Sequence, residues 1–412
     1  MAVIYYEAVP VAHLGAQGEV TLVYDPSWLA RAGAFPVSLT MPLSGEPFGS
    51  SRVVPWLANL LPEAHLTELG LQLKVSPQDV VGMLMRLGRD TAGAFSFGEA
   101  RRSGNNFRIV PDGAALERII EELPERPFLV GEHGVSMSLA GVQDKLPVYM
   151  ANGEKIAIPI DGTPSTHILK PDIRRLAGSV QNEAFCMTLA RLCGLAVADV
   201  TTGRVGKRSY LLVTRYDRVS DQLGIVRRVH QEDFCQLLGL LPSAKYERSG
   251  LGAARGANLT AMFRALANLV SPAERLALLD GVIFNVLIGN SDSHAKNYSV
   301  VVGAGGTARL APLYDLMCAA VYRNVDQALP QSIGSRTNAN ELHGEDWRTL
   351  ATSVDMSAAS TMARVREMSE AIEAHLTTAA ATVEAMPAGP HDVIAKSIRA
   401  IQKRCRRIMR QL

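Results

Sequence analysis

The chain has 412 residues, enough for two or three packed units with well-buried cores. Hydrophobic residues make up 47% and charged residues 20%, a composition that excludes an extended disordered chain. Lys and Arg number 42 against 40 Asp and Glu, a formal net charge of +2, so no global field marks nucleic acid as the principal ligand.

The N-terminal MAVIYYEAVPVAHLG lacks a basic region followed by an apolar core, and no apolar run reaches about 18 residues, so neither export nor membrane spanning is expected. VIYYEAVPVAHL and EVTLVYD carry the period-two pattern of strands, and a turn-rich stretch follows from Pro42 to Phe48. VPWLANLLPEAHLTELGLQL and SPQDVVGMLMRLGRD then show the three- and four-residue spacing of helices, with Ser76 the expected N-cap of the second. The polar stretch from Arg101 to Asn106 breaks this pattern and marks a boundary.

Between about 130 and 230 the strand pattern returns in MSLAGVQDKLPVYM, EKIAIPI, STHILKP, RSYLLVTRYDR and GIVRRVHQ, interrupted by the helical NEAFCMTLARLCGL. Five strands with one helix inserted is the plan of a kinase small lobe. Helical patterns dominate from about 231 onward, and the stretch from Val354 to Met386 is rich in helix formers. The expected units are therefore 1–105, an α/β subdomain; 106–230, a nucleotide-binding small lobe; and 231–412, a helical large lobe. Five cysteines, Cys186, Cys193, Cys235, Cys318 and Cys405, form no C-x-x-C pair and read as buried apolar side chains in a reducing cytoplasm.

The segment most specific for chemistry is DGVIFNVLIGNSDSHAKNYSVVV, an apolar helix ending at Gly289, a polar loop, and a strand. Asp292 and Asn297 stand at the separation of the protein-kinase catalytic loop, where the Asp takes the proton of the attacking hydroxyl and the Asn holds a metal ion. Asp315, at the end of the strand-like TARLAPLYD, is placed to join Mg²⁺ to the phosphates, and with Asn297 makes a sufficient set of protein ligands for that ion. Lys170 ends the strand STHILKP and Glu183 opens a helix thirteen residues later, the pairing by which kinases hold the α- and β-phosphates of ATP. Taken singly, an Asp after a helix is commonly a cap, a strand Lys commonly reaches solvent, and His294 equally braces its loop or meets the nucleotide. No G-x-G-x-x-G or Walker pattern accompanies Gly134 and Gly141, so phosphate cradling is not legible from glycine spacing.

With these residues in view, the chain resembles the HipA family of serine/threonine kinase toxins. The blocks SLAGVQDKLPV, THILKP, QNEAFCMTLARLCGLAVADV, LLVTRYDR, HQEDFCQLLGLLPSAKYE, LIGNSDSHAKNYSV and LAPLYDL carry the likeness in order, and SLTMPLSGEPF, WLANLLPE and MLMRLGRDTAGAFSF extend it to the N-terminus. The resemblance implies an α+β, protein-kinase-like two-lobe fold, its large lobe similar to lipid-kinase-type enzymes, with an added N-terminal α/β subdomain. It implies Asp292 as catalytic base, Asn297 and Asp315 as metal ligands and Lys170 as phosphate ligand. Ser138 matches the family's inhibitory autophosphorylation position, with Ser136 the neighbouring alternative. Backbone groups near Thr214 and Tyr216 are expected at the adenine edge, Gln231 at the ribose and His294 beside the nucleotide. Ser293 departs from the family, which commonly has glycine there, and puts the flexibility of the loop in question.

The likeness also implies a small HipB-like helix-turn-helix antitoxin as partner, operator DNA contacted mainly through it, and a protein substrate of the aminoacyl-tRNA synthetase kind. The basic segment KSIRAIQKRCRRIMRQL either touches DNA phosphates in such an assembly or is a solvated helix face. Two rival readings stand beside the kinase: a small-molecule phosphotransferase, which would share the D-x-H-x-x-N loop, and a catalytically silent co-repressor acting with its antitoxin.

Overall fold

The computed structural model describes residues 2–15, 18–101, 104–222, 224–248 and 256–412. Two positions of the polar boundary stretch, 102 and 103, lie outside the described residues. The N-terminal strands alternate as their sequence requires. Thr21–Tyr24, Val9–Gly15, Ala2–Tyr6 and Phe95–Phe97 lie side by side in that order, all antiparallel. Their inward residues Ile4, Leu14, Leu22 and Phe97 are fully buried beneath helices Ser50–Ala58 and Val80–Leu87.

The helical stretch from Val54 to Leu73 is broken. Ser50–Ala58 stops at Asn59 and Leu66–Leu73 begins after His65, because Pro62 supplies no N–H and disfavours helical backbone before it. The expected cap at Ser76 is also displaced: Asp79 caps Val80–Leu87, accepting from the Gly82 amide at 2.8 Å, while Ser76 bonds Gln78. Either oxygen serves as a cap, and the one nearest the first apolar turn is used.

The second sheet has six antiparallel strands, in the order Phe107–Ile109, Lys155–Pro159, Leu146–Ala151, His167–Pro171, Arg208–Thr214, Val200–Val205. Val200–Val205 joins an edge although its polar, glycine-bearing sequence disguises it. The stretch expected as a strand from Met137 pairs only from Leu146, leaving 137–145 as a loop over the sheet. GIVRRVHQ is not in this sheet: Val226–Arg228 pairs with Arg218–Ser220, and His230–Asp233 pairs with Ser299–Val302.

Helix Ser179–Leu192 is buried on nearly every side, as its apolar sequence demands, and packs on helices Ala358–Glu384 and Asp392–Gln411. The apolar helix expected to end at Gly289 runs Pro272–Ile288. It opens with a Ser271–Glu274 capping box and closes on Gly289 at φ 74°, a left-handed conformation suited to glycine. Two cores result. One joins the N-terminal unit to the six-stranded sheet through Trp56, Leu146, Ile158 and Leu169; the other joins Phe185, Phe284, Trp347, Ile372 and Ile401 among the helices. The site lies between them. Among the described residues, no helix is long and apolar enough to cross a membrane.

Candidate active site

A cleft of about 1030 Å³ separates the six-stranded sheet from the helices, with room for a nucleotide. Lys170, Thr214, Tyr216 and Gln231 line it from the sheet side and the segment that follows. Asp292, His294, Asn297 and Asp315 line it from the helical side. Glu183 stands directly behind Lys170, and Ser138 lies outside the cleft wall.

Lys170 sits in His167–Pro171, flanked on both sides by paired strands, so its backbone is fixed. Its ammonium is 2.7 Å from Glu183 Oε1 and 2.6 Å from Asp315 Oδ1. Asp315 does not end a strand as expected. It follows Ala308–Leu310 after a stretch of loop, with φ 60° in the left-handed region. Burial alone would raise its carboxyl, but Lys170 and Lys145 outweigh burial and hold it down to about 2. Burial would lower Lys170, yet its two carboxylates raise it above the usual lysine range. Glu183, fully enclosed and facing the charge of Asp315, is pushed up. One cation thus serves two acids, and loss of one member of a buried ion pair typically costs about 3–5 kcal/mol.

The loop after Gly289 brings the next group of residues together. Asn297 donates its amide N–H to the Asp292 carbonyl at 2.8 Å, so its side-chain oxygen is the atom left to act as a ligand. The Asp292 carboxylate is 64% exposed within the cleft and accepts from the Tyr246 hydroxyl. The enclosing walls raise its pKa above the usual aspartate value, Tyr246 opposes that, and the charge of Asp315 adds to it. His294 is buried, 4.0 Å from Asp292 Oδ1, and packs edge-on to Tyr246. Burial and the nearby Lys245 push it down to about 3, so it is neutral, and its Nδ1 has no hydrogen-bond partner among the described residues. Ser293 bonds the Asn290 carbonyl at 3.2 Å and has no positive φ, so glycine's conformational freedom is not required there.

Thr214 gives its amide to the Asp199 carbonyl at 2.8 Å, which withdraws that donor from any base edge. The Tyr216 hydroxyl donates to Gln231, and its ring stacks on Tyr314 at 5.9 Å. Ser138 is fully buried, donating to the Leu60 carbonyl at 2.7 Å, and Ser136 donates to the Arg86 carbonyl at 2.8 Å. In this conformation neither hydroxyl faces the cleft.

Lys145, Glu63, Lys245 and Tyr246 are among the lining residues not singled out from sequence. Lys145 folds back over Gly141, whose φ of 111° and missing Cβ make room for it, and donates to the Ala140 carbonyl at 2.6 Å. Burial and the neighbouring Lys170 bring it down to about 8. Its position just ahead of an apolar strand was the available signal. Glu63 pairs with Lys245 at 2.6 Å beside Tyr246, a meeting of distant segments that no local spacing reveals.

Comparison with known proteins bears on the family and the fold. The HipA-like C-terminal domain matches residues 137–376, more than half of the chain, and the HipA N-terminal domain matches 2–98. The chain belongs to the HipA family. Y4mE of Sinorhizobium fredii is 38% identical over 344 residues, covering 81% of this chain and 80% of that protein. The serine/threonine-protein kinase toxin HipA of Shewanella oneidensis is 32% identical over 344 residues, covering 78% of this chain and 75% of that one. HipA in the solved complex of Shewanella oneidensis HipA, HipB and operator DNA superposes with a TM-score of 0.86 at 26% identity, over 99% of this chain and 97% of that one. The mixed α/β architecture is therefore the HipA fold, as the sequence resemblance implied.

Proposed function

We propose that this HipA-family chain is an ATP- and Mg²⁺-dependent serine/threonine protein kinase, the toxin of a HipA/HipB-type pair in the bacterial cytoplasm. The observation that carries this reading is Lys170, bridging Glu183 and Asp315 in the cleft onto which Asp292 and Asn297 open. In the reaction, Lys170 exchanges its bond to Asp315 for the α- and β-phosphates while Glu183 keeps it aimed. Asp315 and the free oxygen of Asn297 are hard oxygen donors that suit Mg²⁺, which takes one or two such protein ligands beside water and phosphate. When bound, that ion neutralises charge on the transferring phosphoryl group.

Asp292 takes the proton of a serine or threonine hydroxyl as its oxygen bonds to the γ-phosphorus and the bond to the ADP oxygen breaks. Lys145 adds a second cation for the phosphates. Neutral His294 offers its unpaired Nδ1 to the nucleotide, backbone groups near Tyr216 and the Thr214 carbonyl meet adenine, and Gln231 turns from Tyr216 to the ribose. Ser138 becomes an acceptor once its loop leaves the Leu60 carbonyl, and a phosphate charge of about −2 there keeps the loop out. The acceptor protein is of the aminoacyl-tRNA synthetase kind. A HipB-like helix-turn-helix antitoxin is the partner and carries the contact with operator DNA, a reading supported by the solved complex of the Shewanella relative.

The test is intact mass and radiolabel transfer after incubation with ATP and Mg²⁺. The parent is expected to gain one phosphate, located at Ser138 by fragmentation, whereas Asp292→Asn binds ADP and transfers nothing. Transfer by Asp292→Asn at the parental rate would end the proposal.

A further inference from the structure

We infer that the N-terminal unit is a working part of the catalytic centre, with Asn59 the residue that positions the catalytic loop. This inference rests on the kinase reading above. Lys296 stands inside that loop, between His294 and Asn297, and is 6% exposed. Its ammonium has three donors, and three acceptors meet them: Asp233 Oδ2 at 2.6 Å, Asn59 Oδ1 at 2.7 Å and the Asn59 carbonyl at 3.2 Å. Two of the three belong to one residue of the N-terminal unit.

Asn59 is itself held in a single orientation. Its Nδ2 donates to the Pro55 and Leu240 carbonyls, both at 2.8 Å, so its oxygen must face Lys296. The residues that follow reach the other side of the cleft. The Leu60 carbonyl accepts from Ser138, the Glu63 amide donates to the Gly141 carbonyl at 3.2 Å, and Glu63 Oε2 pairs with Lys245. The Lys245 carbonyl in turn accepts the Ala295 amide at 3.1 Å. Residues 59–63 therefore grip both the loop 138–141 and the loop 292–297, and fix one against the other.

Asn59→Ala leaves the main-chain carbonyl but removes Oδ1, the closer of the two Asn59 acceptors; the buried ammonium then has to shift to find another, and Lys296 is covalently tied to the neighbours of Asp292 and Asn297. Displacement of reacting groups by about 1 Å costs rate on the order of 100-fold. Of the proposed nucleotide contacts, Lys170, Thr214, Tyr216 and Gln231 lie on other elements and do not share this tie; His294 alone does. The effect of losing Asn59 should therefore fall on kcat and spare nucleotide binding, a split that a merely stabilising bracket would not produce.

The experiment compares full-length Asn59→Ala, Asn59→Asp and Asp292→Asn for phosphate transfer, for ADP affinity in EDTA and for cooperative unfolding. Asn59→Ala is expected to lower kcat about 10- to 100-fold with ADP affinity within about twofold of the parent. Asn59→Asp keeps an oxygen on Lys296 but sets its second oxygen against the Pro55 and Leu240 carbonyls in place of their donor, and is expected to recover part of the loss, to within about tenfold of the parent. The inference is overturned by a folded Asn59→Ala with parental kcat or by equal losses of kcat and ADP affinity. Should Asn59→Ala fail to unfold cooperatively, Asn59→Asp decides: a lowered kcat with ADP affinity within about twofold of the parent upholds the inference, and parental kcat or equal losses of both overturn it. Parental transfer by Asp292→Asn would instead remove the kinase reading, whatever Asn59 does.

Discussion

The hydroxyl of Tyr246 donates to Oδ1 of Asp292, an oxygen of the carboxylate that the proposed reaction needs as proton acceptor. A phenol there occupies the approach that a serine, threonine or water hydroxyl has to use. Replacing it with Tyr246→Phe leaves the ring and its packing on His294 while clearing that approach. Basal ATP hydrolysis, with water as acceptor, is expected to rise about fivefold, the equivalent of one hydrogen bond of about 1 kcal/mol. Hydrolysis by the variant below the parental rate would show that the phenol assists Asp292 instead of competing for it.

Lys170 separates two carboxylates that would otherwise face each other across the base of the cleft. Lys170→Met leaves Glu183 enclosed without its cation, and chemical denaturation should report a loss of about 3–5 kcal/mol. Adding Glu183→Gln removes the stranded charge, so the double variant regains most of that stability while phosphate transfer stays absent. If the two changes simply add, the ion pair is not the unit that matters.

Glu232 is fully buried beside Ser38 and accepts from the Leu39 amide at 2.7 Å through Oε2. Burial pushes its carboxyl from 4.5 up to about 7. The folded state therefore holds its proton over a range where the unfolded chain has released it. That contribution is fully present below about pH 4.5 and is lost as pH rises through about 7, reaching about 3 kcal/mol in total. Glu232→Gln keeps an oxygen for Leu39 and should flatten stability over this window, leaving the variant more stable than the parent at pH 8. Parallel stability curves for parent and variant would contradict the assignment.

Much of the site was legible because its residues sit at the ends of strongly patterned elements. Lys170 closes a β-rich run, Asp292 and Asn297 follow an apolar helix ended by Gly289, and Glu183 lies in a helical run, so periodicity set the elements and kinase-like spacing picked the residues on them. Asp315 was found by its order in the chain although the expected strand stops short of it. Glu63, Lys245 and Asn59 were hidden, because their partners lie 182 and 237 residues away and nothing local marks such a meeting. The conformation of the Ser138 loop was equally illegible. Its sequence alternates like a strand, but its bonds go to Leu60 and Asp90 of the N-terminal unit, a tertiary choice that overrides local pattern. Val200–Val205 was missed for the opposite reason: a polar edge strand borrows its partner's hydrogen bonds without showing an apolar face.

The left-handed backbone of Asp315 is a local strain that its ion pair outweighs. Glycine would adopt the same dihedral angles without steric cost, a relief of about 1–2 kcal/mol. It would also leave Lys170 with Glu183 alone and take away the proposed oxygen ligand. A library of variants sorted for heat resistance alone should therefore keep the carboxylate at this site, so that selection for a durable chain also preserves the group the proposed chemistry needs.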